Sequence, residues 1–298
     1  MTEATVPWPL TVLVTGATGS QGGAVVRRLL RRGHEVRALS RSGDSPVSRE
    51  LERLGANVWT GDFDDRDSLE RAAAGAAAVF AMVPYEAGRN VEMRQASNLF
   101  AAAKAAGIGH LVYSSAAGAD RQTGVPPYES KAAVERRLAS FGVPYTIVAP
   151  VAFMENAFLP WTLPGLRQGT LALALPESRP LQHVALPDLA SFVALVVEER
   201  ERFLGRRIDL ASDEVTGAEQ AKILSQASGR EIGYVELPLE QVRSFSEELA
   251  LLWEWANEVG HNVDIERLRR DYPEVGWHTF AEWAASQDWS VLEGEAAA

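Results

Sequence analysis

"VLVTGATGSQGGAVVRRLL", Val12 to Leu30, runs from strand-like residues through three spaced glycines into an amphipathic segment, with almost no room for a conventional loop. The glycines stand at 16, 19 and 22, after an apolar strand pattern and at the start of a helix pattern. That is the arrangement a dinucleotide pyrophosphate requires. Gly16 permits the tight turn, Gly19 lets a pyrophosphate approach backbone amides, and Gly22 lets helix pack on strand. Thr18, Ser20 and Gln21 fill the turn between them and join the glycines as candidate cofactor-binding residues. An ordinary glycine-rich turn is the plain alternative, and the flanking strand and helix weigh against it.

Outward from this turn, residues 10 to 150 alternate short apolar runs with longer helical stretches, the pattern of parallel strands joined by crossover helices. The strands read "TVLVTG", "EVRALSR", "NVWTGD", "AAVFAMV", "HLVYSS" and "YTIVAP". Helices are expected over 22–32, 49–54, 67–73, 89–106 and 128–141. Right-handed crossovers then give an α/β fold of Rossmann type, a doubly wound parallel sheet. Beyond Phe153 the pattern loosens. "TLALAL" and "GRRIDLAS" read as strands, Asp188 as a helix cap, and "TGAEQAKILSQASGR" as a capped helix ending at Gly229. Trp253 and Trp255 stand at helical spacing and read as core or lid. The expected organisation is a tail over 1–9, a nucleotide-binding domain over 10–152, a smaller, mainly helical substrate lobe over 153–290 with some segments returning to the sheet, and a disordered tail over 291–298. Two lobes sharing one cleft are expected.

Composition narrows the function. The chain has 298 residues, 46% of them hydrophobic, enough for a large core, and a formal charge of -11. That charge argues against direct nucleic-acid binding, because such proteins usually display a basic face. With no cysteine, disulfides, thiolate metal sites and thiol redox chemistry are excluded, so any redox chemistry needs a borrowed cofactor. The five histidines, 34, 110, 183, 261 and 278, are scattered without metal-ligand spacing, and no metal site is expected. No stretch reaches the roughly 18 apolar residues of a membrane span. A cytoplasmic protein that takes a small-molecule substrate is expected, with a homodimer as one assembly the sequence allows.

The residue after the second strand selects the nicotinamide cofactor. An acidic side chain there would hydrogen-bond the ribose hydroxyl of NAD, whereas this chain has Ser40 and Arg41. A guanidinium suits a phosphate, so NADP(H) is the expected cofactor, with Arg37 assisting; a solvated surface charge is the alternative for Arg41. Asp62 and Phe63 end the third strand, where adenine would lie, and Asp62 reads equally as a turn or cap residue. Met82, Val83 and Pro84 follow the fourth strand, along the path of the diphosphate and ribose. Ser114 and Ser115 end the fifth, at the side where doubly wound sheets bind ligands.

Taken together, "TGATGSQGG", "LSRS", "GDFDD", "VYSSAAG", "YESKAAVERRLASFGVPYTIVAP", "FMENAF" and "WEWANEVGHNVDIERLRRDYP" resemble the NmrA-like (HSCARG-like) branch of the atypical short-chain dehydrogenase/reductases, from about residue 10 to 289. The resemblance implies NADPH-dependent reductases of quinones and other small molecules, and also nucleotide-sensing regulators without chemistry. By the same resemblance Lys131, one of three lysines with 104 and 222, matches the superfamily's active-site lysine, which hydrogen-bonds the nicotinamide ribose and raises the local positive potential. The usual partner is a tyrosine four residues earlier acting as general acid; position 127 is proline. Tyr128 lies three residues before Lys131, and at roughly 100° per residue that places its phenol on the other flank of the lysine. It lines the cleft or covers the helix start.

Lys131, Tyr128 and Ser115 are thus the catalytic candidates, although Ala116 also aligns with the superfamily serine. Tyr85, Ala116, Phe153 and Asn156 are the candidates for the substrate pocket, with core packing for Phe153 and a helix cap for Asn156 as the alternatives. Reduction of a simple ketone lacks its proton donor here. A quinone, enone or imine fits better, because hydride addition to a quinone leaves a stabilised anion. The expected function is an NADP(H)-dependent reductase of such an acceptor. A non-catalytic NADP(H)-responsive regulator acting through a protein partner is the alternative. A sugar-nucleotide epimerase or dehydratase ranks below both, since it needs the tyrosine–lysine pair.

Overall fold

The computed structural model describes residues 8–85 and 87–293, in two compact units. The first comprises the described residues up to Asp120, Pro127–Ala149 and Leu189–Ile208; the second comprises Arg121–Pro126, Pro150–Asp188 and the described residues from Asp209.

In the first unit the expected alternation appears as β1 (Thr11–Val14), α1 (Ser20–Arg31), β2 (Glu35–Ser40), α2 (Pro46–Arg53), β3 (Asn57–Thr60), α3 (Arg66–Ala73), β4 (Ala78–Ala81), α4 (Arg89–Ala105), β5 (His110–Ser114), α5 (Pro126–Ala139) and β6 (Tyr145–Pro150). The sheet has seven strands in the order Arg207–Leu210, β6, β5, β4, β1, β2, β3. Its ladders from β6 to β3 are parallel. Strand order reverses between β1 and β4, and the carboxyl ends of those two strands are where a sheet of this kind opens a crevice for ligands.

Buried on both faces, the central strands read as continuous apolar runs rather than alternating ones. Val12, Leu13 and Val14 of β1 and Val79 and Phe80 of β4 are all inaccessible to solvent. One core cluster joins Leu13, Val79, Leu99, Phe100, Leu111, Tyr113 and Leu138. Each such side chain contributes about 1.5–3 kcal/mol on burial.

Three helices start two or three residues earlier than periodicity indicates. α1 begins at Ser20 and encloses Gly22. α2 begins at Pro46, where Ser45 accepts from the Ser48 amide and proline takes the first turn. α5 begins at Pro126. A proline in the first helical turn loses no hydrogen bond, so a residue that looks like a breaker is a start.

The second unit carries two small sheets alongside its helices. Three strands, Asp213–Thr216, Pro180–Val184 and Ala152–Phe153, form one; Thr170–Leu173 and Gly233–Glu236 pair in parallel as the other. Helix Gly217–Ser228 has a complete capping box from Thr216 and Glu219 and stops at Gly229, whose φ is 70°. Trp255 is buried, and Trp253 packs against the cluster of Ala174, Val242 and Ala250. A larger core gathers Leu166, Leu224, Phe280, Trp283 and Trp289. Asp188 sits within helix Leu186–Glu198 instead of capping it, because its carboxylate accepts from the Ser212 hydroxyl and the His278 amide. Of the expected tails, residues 1–7 and 294–298 lie outside the described residues, while Trp289–Leu292 forms a turn of 3-10 helix with Trp289 and Leu292 buried. No helix among the described residues is long and apolar enough to cross a membrane.

Candidate functional site

Where β1 ends, Thr15 is fully buried and its hydroxyl donates to the Met82 carbonyl at 2.8 Å while accepting from the Met82 amide at 2.9 Å. This clasp ties the ends of β1 and β4 together under the glycine turn. Gly16 turns the chain at φ 61°. The Gly19 amide donates to the Gly16 carbonyl at 2.9 Å. A Cβ on Gly22 would stand 2.2 Å from the Gly16 oxygen and 2.5 Å from its carbonyl carbon, so the third glycine is required by backbone packing.

Gly19 differs. A Cβ there would meet only the Gly16 oxygen, at 3.4 Å. Gly19 is also the N-cap of α1, without a side-chain cap hydrogen bond and without an acidic residue in the first turn. Among the described residues no side chain caps this amino end of a 12-residue helix, so its amides and partial positive charge are presented in a cradle that a side chain would fill. Thr18 and Ser20 are exposed at its edge. Gln21 reaches across the sheet end, its Oε1 accepting from the Ser114 hydroxyl at 2.7 Å. These residues fit a pyrophosphate.

After β2, Ser40 belongs to a serine network. Its hydroxyl donates to the Ser42 carbonyl at 2.8 Å and accepts from Ser48 at 3.0 Å, which stiffens the turn that presents Arg41 to solvent. One guanidinium nitrogen of Arg37 donates to the Ala72 and Ala74 carbonyls at the end of α3, at 2.8 and 2.6 Å. Asp62 takes the turn role: one carboxylate oxygen accepts from the Asp64 amide at 2.8 Å. Phe63 packs on the core.

Lys131 lies on α5 with its side chain only 14% exposed. Its ammonium donates to the Val83 carbonyl at 2.9 Å, pairs with Glu92 at 2.6 Å and lies 5.6 Å from the centre of the Tyr113 ring. Tyr128 is half-buried, and burial pushes its phenol up to about 12. That is opposite to the lowering a general acid near neutral pH needs. The Ser115 hydroxyl donates to the Glu135 carboxylate, which pairs with Arg207 at 3.1 Å; Arg207 in turn donates to the Ala116 carbonyl at 3.0 Å. Ser115 is therefore already committed as a donor. Pro84 and Tyr85 follow Val83, half-buried.

At the carboxyl ends of β1, β4 and β5 the structure thus gathers Gly16, Gly19, Gly22, Gln21, Met82, Val83, Ser114 and Lys131. Phe153 and Asn156 belong to the second unit. Phe153 is half-buried in its short strand, and Asn156 is exposed within the 3-10 turn Met154–Phe158 rather than at its cap. Glu155 between them is half-buried, its carboxylate accepting from the Leu186 amide at 3.1 Å and the Trp283 indole at 3.0 Å; desolvation outweighs these bonds and pushes it up to about 7. Sequence reasoning missed Thr15, Glu92, Glu135 and Arg207. Only Glu135 carried a signal, lying four residues after Lys131 and so on the same helix face.

Comparison with known proteins adds the following. The NmrA-like family model matches residues 10–284. A (4-alkanoyl-5-oxo-2,5-dihydrofuran-3-yl)methyl phosphate reductase from Streptomyces griseus subsp. griseus is 34% identical over 239 residues, covering 78% of this chain and 79% of the relative. An NAD(P)H azoreductase from Xenophilus azovorans is 30% identical over 233 residues, with 78% and 79% covered. Among solved structures, an NADPH-dependent quinone oxidoreductase from Escherichia coli, complexed with NADPH, superposes with a TM-score of 0.77 at 24% identity, over 92% of this chain and 98% of that one. The last likeness shows a shared fold.

Proposed function

The chain belongs to the NmrA-like family, and from that premise we propose that it is an NADP(H)-dependent reductase of a small organic acceptor such as a quinone, enone or imine. The observation that carries the reading is the open, uncapped amino end of α1 at Gly19, with a caged lysine at the carboxyl end of β4. Two relatives named as reductases, each matched over 79% of its length, support it.

In this reading the amides of α1's first turn hold the pyrophosphate, Arg41 holds the 2′-phosphate, and Lys131 hydrogen-bonds the nicotinamide ribose. When bound, NADPH supplies the hydride. The chain's own part is to bind, orient and exclude water, since Pro127 stands where the superfamily's acid would be and burial makes the Tyr128 phenol a weaker acid than usual. Such a site favours acceptors whose reduction leaves a stabilised anion that water protonates afterwards.

The test is anaerobic consumption of NADPH, followed by absorbance, across a panel of quinones, enones, imines and aldehydes, with Lys131→Ala as control. Turnover with quinone- or enone-like acceptors that disappears in the variant is expected. Tight NADPH binding without consumption by any acceptor would overturn the enzyme reading in favour of an NADP(H)-responsive regulator, which Pro127 also accommodates.

A further inference from the structure

Glu92 is a carboxylate with no solvent exposure, on the first turn of α4. Its Oε1 faces the Lys131 ammonium at 2.6 Å, and its Oε2 accepts from the Ser130 hydroxyl. Two consecutive residues of α5 therefore grip one carboxylate of α4. The helix amino end favours the anion, yet burying an ion pair is no efficient way to gain stability, since well-packed apolar residues do as well or better. The pair calls for another reason.

The ammonium supplies one. Lys131 donates to the Val83 carbonyl and forms an ion pair with Glu92 Oε1 at 2.6 Å, while the Tyr113 ring lies 5.6 Å away. The Tyr113 phenol is fully buried, with no hydrogen-bond partner among the described residues, so it competes for neither. What remains is a head group held from two sides, with a carboxylate balancing its charge.

We propose that Glu92 is the positioning residue of Lys131: it neutralises the ammonium and fixes its place against the Val83 carbonyl, so that Lys131 acts on the bound nucleotide as a directed donor rather than as a source of positive potential. This rests on the nucleotide-binding reading above. Holding one donor in place at no reorganisation cost is how a site of fixed geometry gains over a mobile cation. Arginine cannot substitute, because its planar fork does not fit a cage built for a compact ammonium.

Glu92→Gln keeps the size of the side chain and removes its charge. In the full-length protein three measurements are made. The first is single-turnover oxidation of bound NADPH by the best acceptor. The second is the dissociation constants of NADPH and of 2′,5′-ADP, which lacks the nicotinamide ribose. The third is solvent exchange of the lysine ammonium protons by 15N spectroscopy, simplified by there being three lysines. In Glu92→Gln we expect roughly 10- to 100-fold slower single turnover. NADPH binding weakens, 2′,5′-ADP binding stays within about two-fold, and the slowest-exchanging ammonium signal accelerates at least about ten-fold. Glu92→Asp restores part of each, and Lys131→Arg restores none.

Equal losses of NADPH and 2′,5′-ADP affinity, or unchanged ammonium exchange, would overturn the proposal and leave Glu92 as a tie between α4 and α5. Absence of turnover in the wild type would count against the reductase reading alone, since the affinity difference and the exchange rate still decide the role of Glu92. Should Glu92→Gln fail to fold, the same measurements on Glu92→Asp carry the test.

Discussion

Two glycines of one turn should fail in opposite ways. At Gly22 an added methyl would lie 2.2 Å from the Gly16 oxygen, 2.5 Å from the Gly16 carbonyl carbon and 2.8 Å from the Ala17 nitrogen. All three are backbone atoms, which cannot swing aside as the end of a side chain can, so the first turn of α1 must withdraw from the glycine turn. Overpacking of this kind costs about 1–3 kcal/mol. Alanine's better helix propensity offsets about 1 kcal/mol of it. A net loss of up to about 2 kcal/mol lowers the melting temperature of a unit this size by up to roughly 8 °C.

At Gly19 the backbone is extended, with φ -94° and ψ 177°, and the methyl would meet one atom at 3.4 Å. Gly19→Ala should therefore change stability by less than about 0.5 kcal/mol. The methyl would occupy the space a pyrophosphate needs, and NADPH affinity should fall about 10- to 100-fold, or about 1.4–2.8 kcal/mol. Differential scanning fluorimetry and NADPH fluorescence titration on the two variants measure both quantities. The reasoning is refuted if Gly19→Ala binds NADPH like the wild type, or if it melts as early as Gly22→Ala.

Three further predictions rest on single side chains. Tyr128→Phe should keep NADPH-dependent turnover within about three-fold of wild type, because burial pushes the phenol up to about 12 and makes it a weaker acid than an ordinary tyrosine; a hundred-fold loss would restore Tyr128 as an acid. The Glu155 carboxyl, pushed by burial up to about 7, contributes stability below the ordinary carboxylate range and loses it as pH rises through 7. Glu155→Gln should then gain about 2 kcal/mol on the wild type between pH 5 and 8 in urea unfolding, and a pH-independent difference would contradict this. Glu198 runs the other way. Burial alone would raise it, but hydrogen bonds from His34 and Arg32 prevail and hold it at about 2, so its contribution is present above the ordinary range and fades as pH falls toward 2. The stability gap between wild type and Glu198→Gln should narrow from pH 6 to pH 3, and a gap that widens would refute the assignment.

What was legible in the sequence was local. Gly16, Gly19 and Gly22 lie within seven residues, the strand runs are short and apolar because both sheet faces are covered, and Thr216, Glu219 and Gly229 mark a helix by capping chemistry confined to its ends. From these the doubly wound sheet and its glycine turn follow without coordinates. Pro127 likewise announced a missing acid, since a residue's absence needs no partner to be seen.

The tertiary structure decided the polar connections that give the site its character. Thr15 meets Met82 across 67 residues, Lys131 and Ser130 converge on Glu92 from a different helix, and Arg207 reaches Glu135 across 72 residues. A buried carboxylate on α4 looks in the sequence like any helix glutamate, because what makes it tolerable is a counter-ion delivered by folding. Propensity and periodicity report each residue's preference for its own backbone and for water. Which charge is left to face which is settled only when the strands stack and bring distant helices to the same sheet edge.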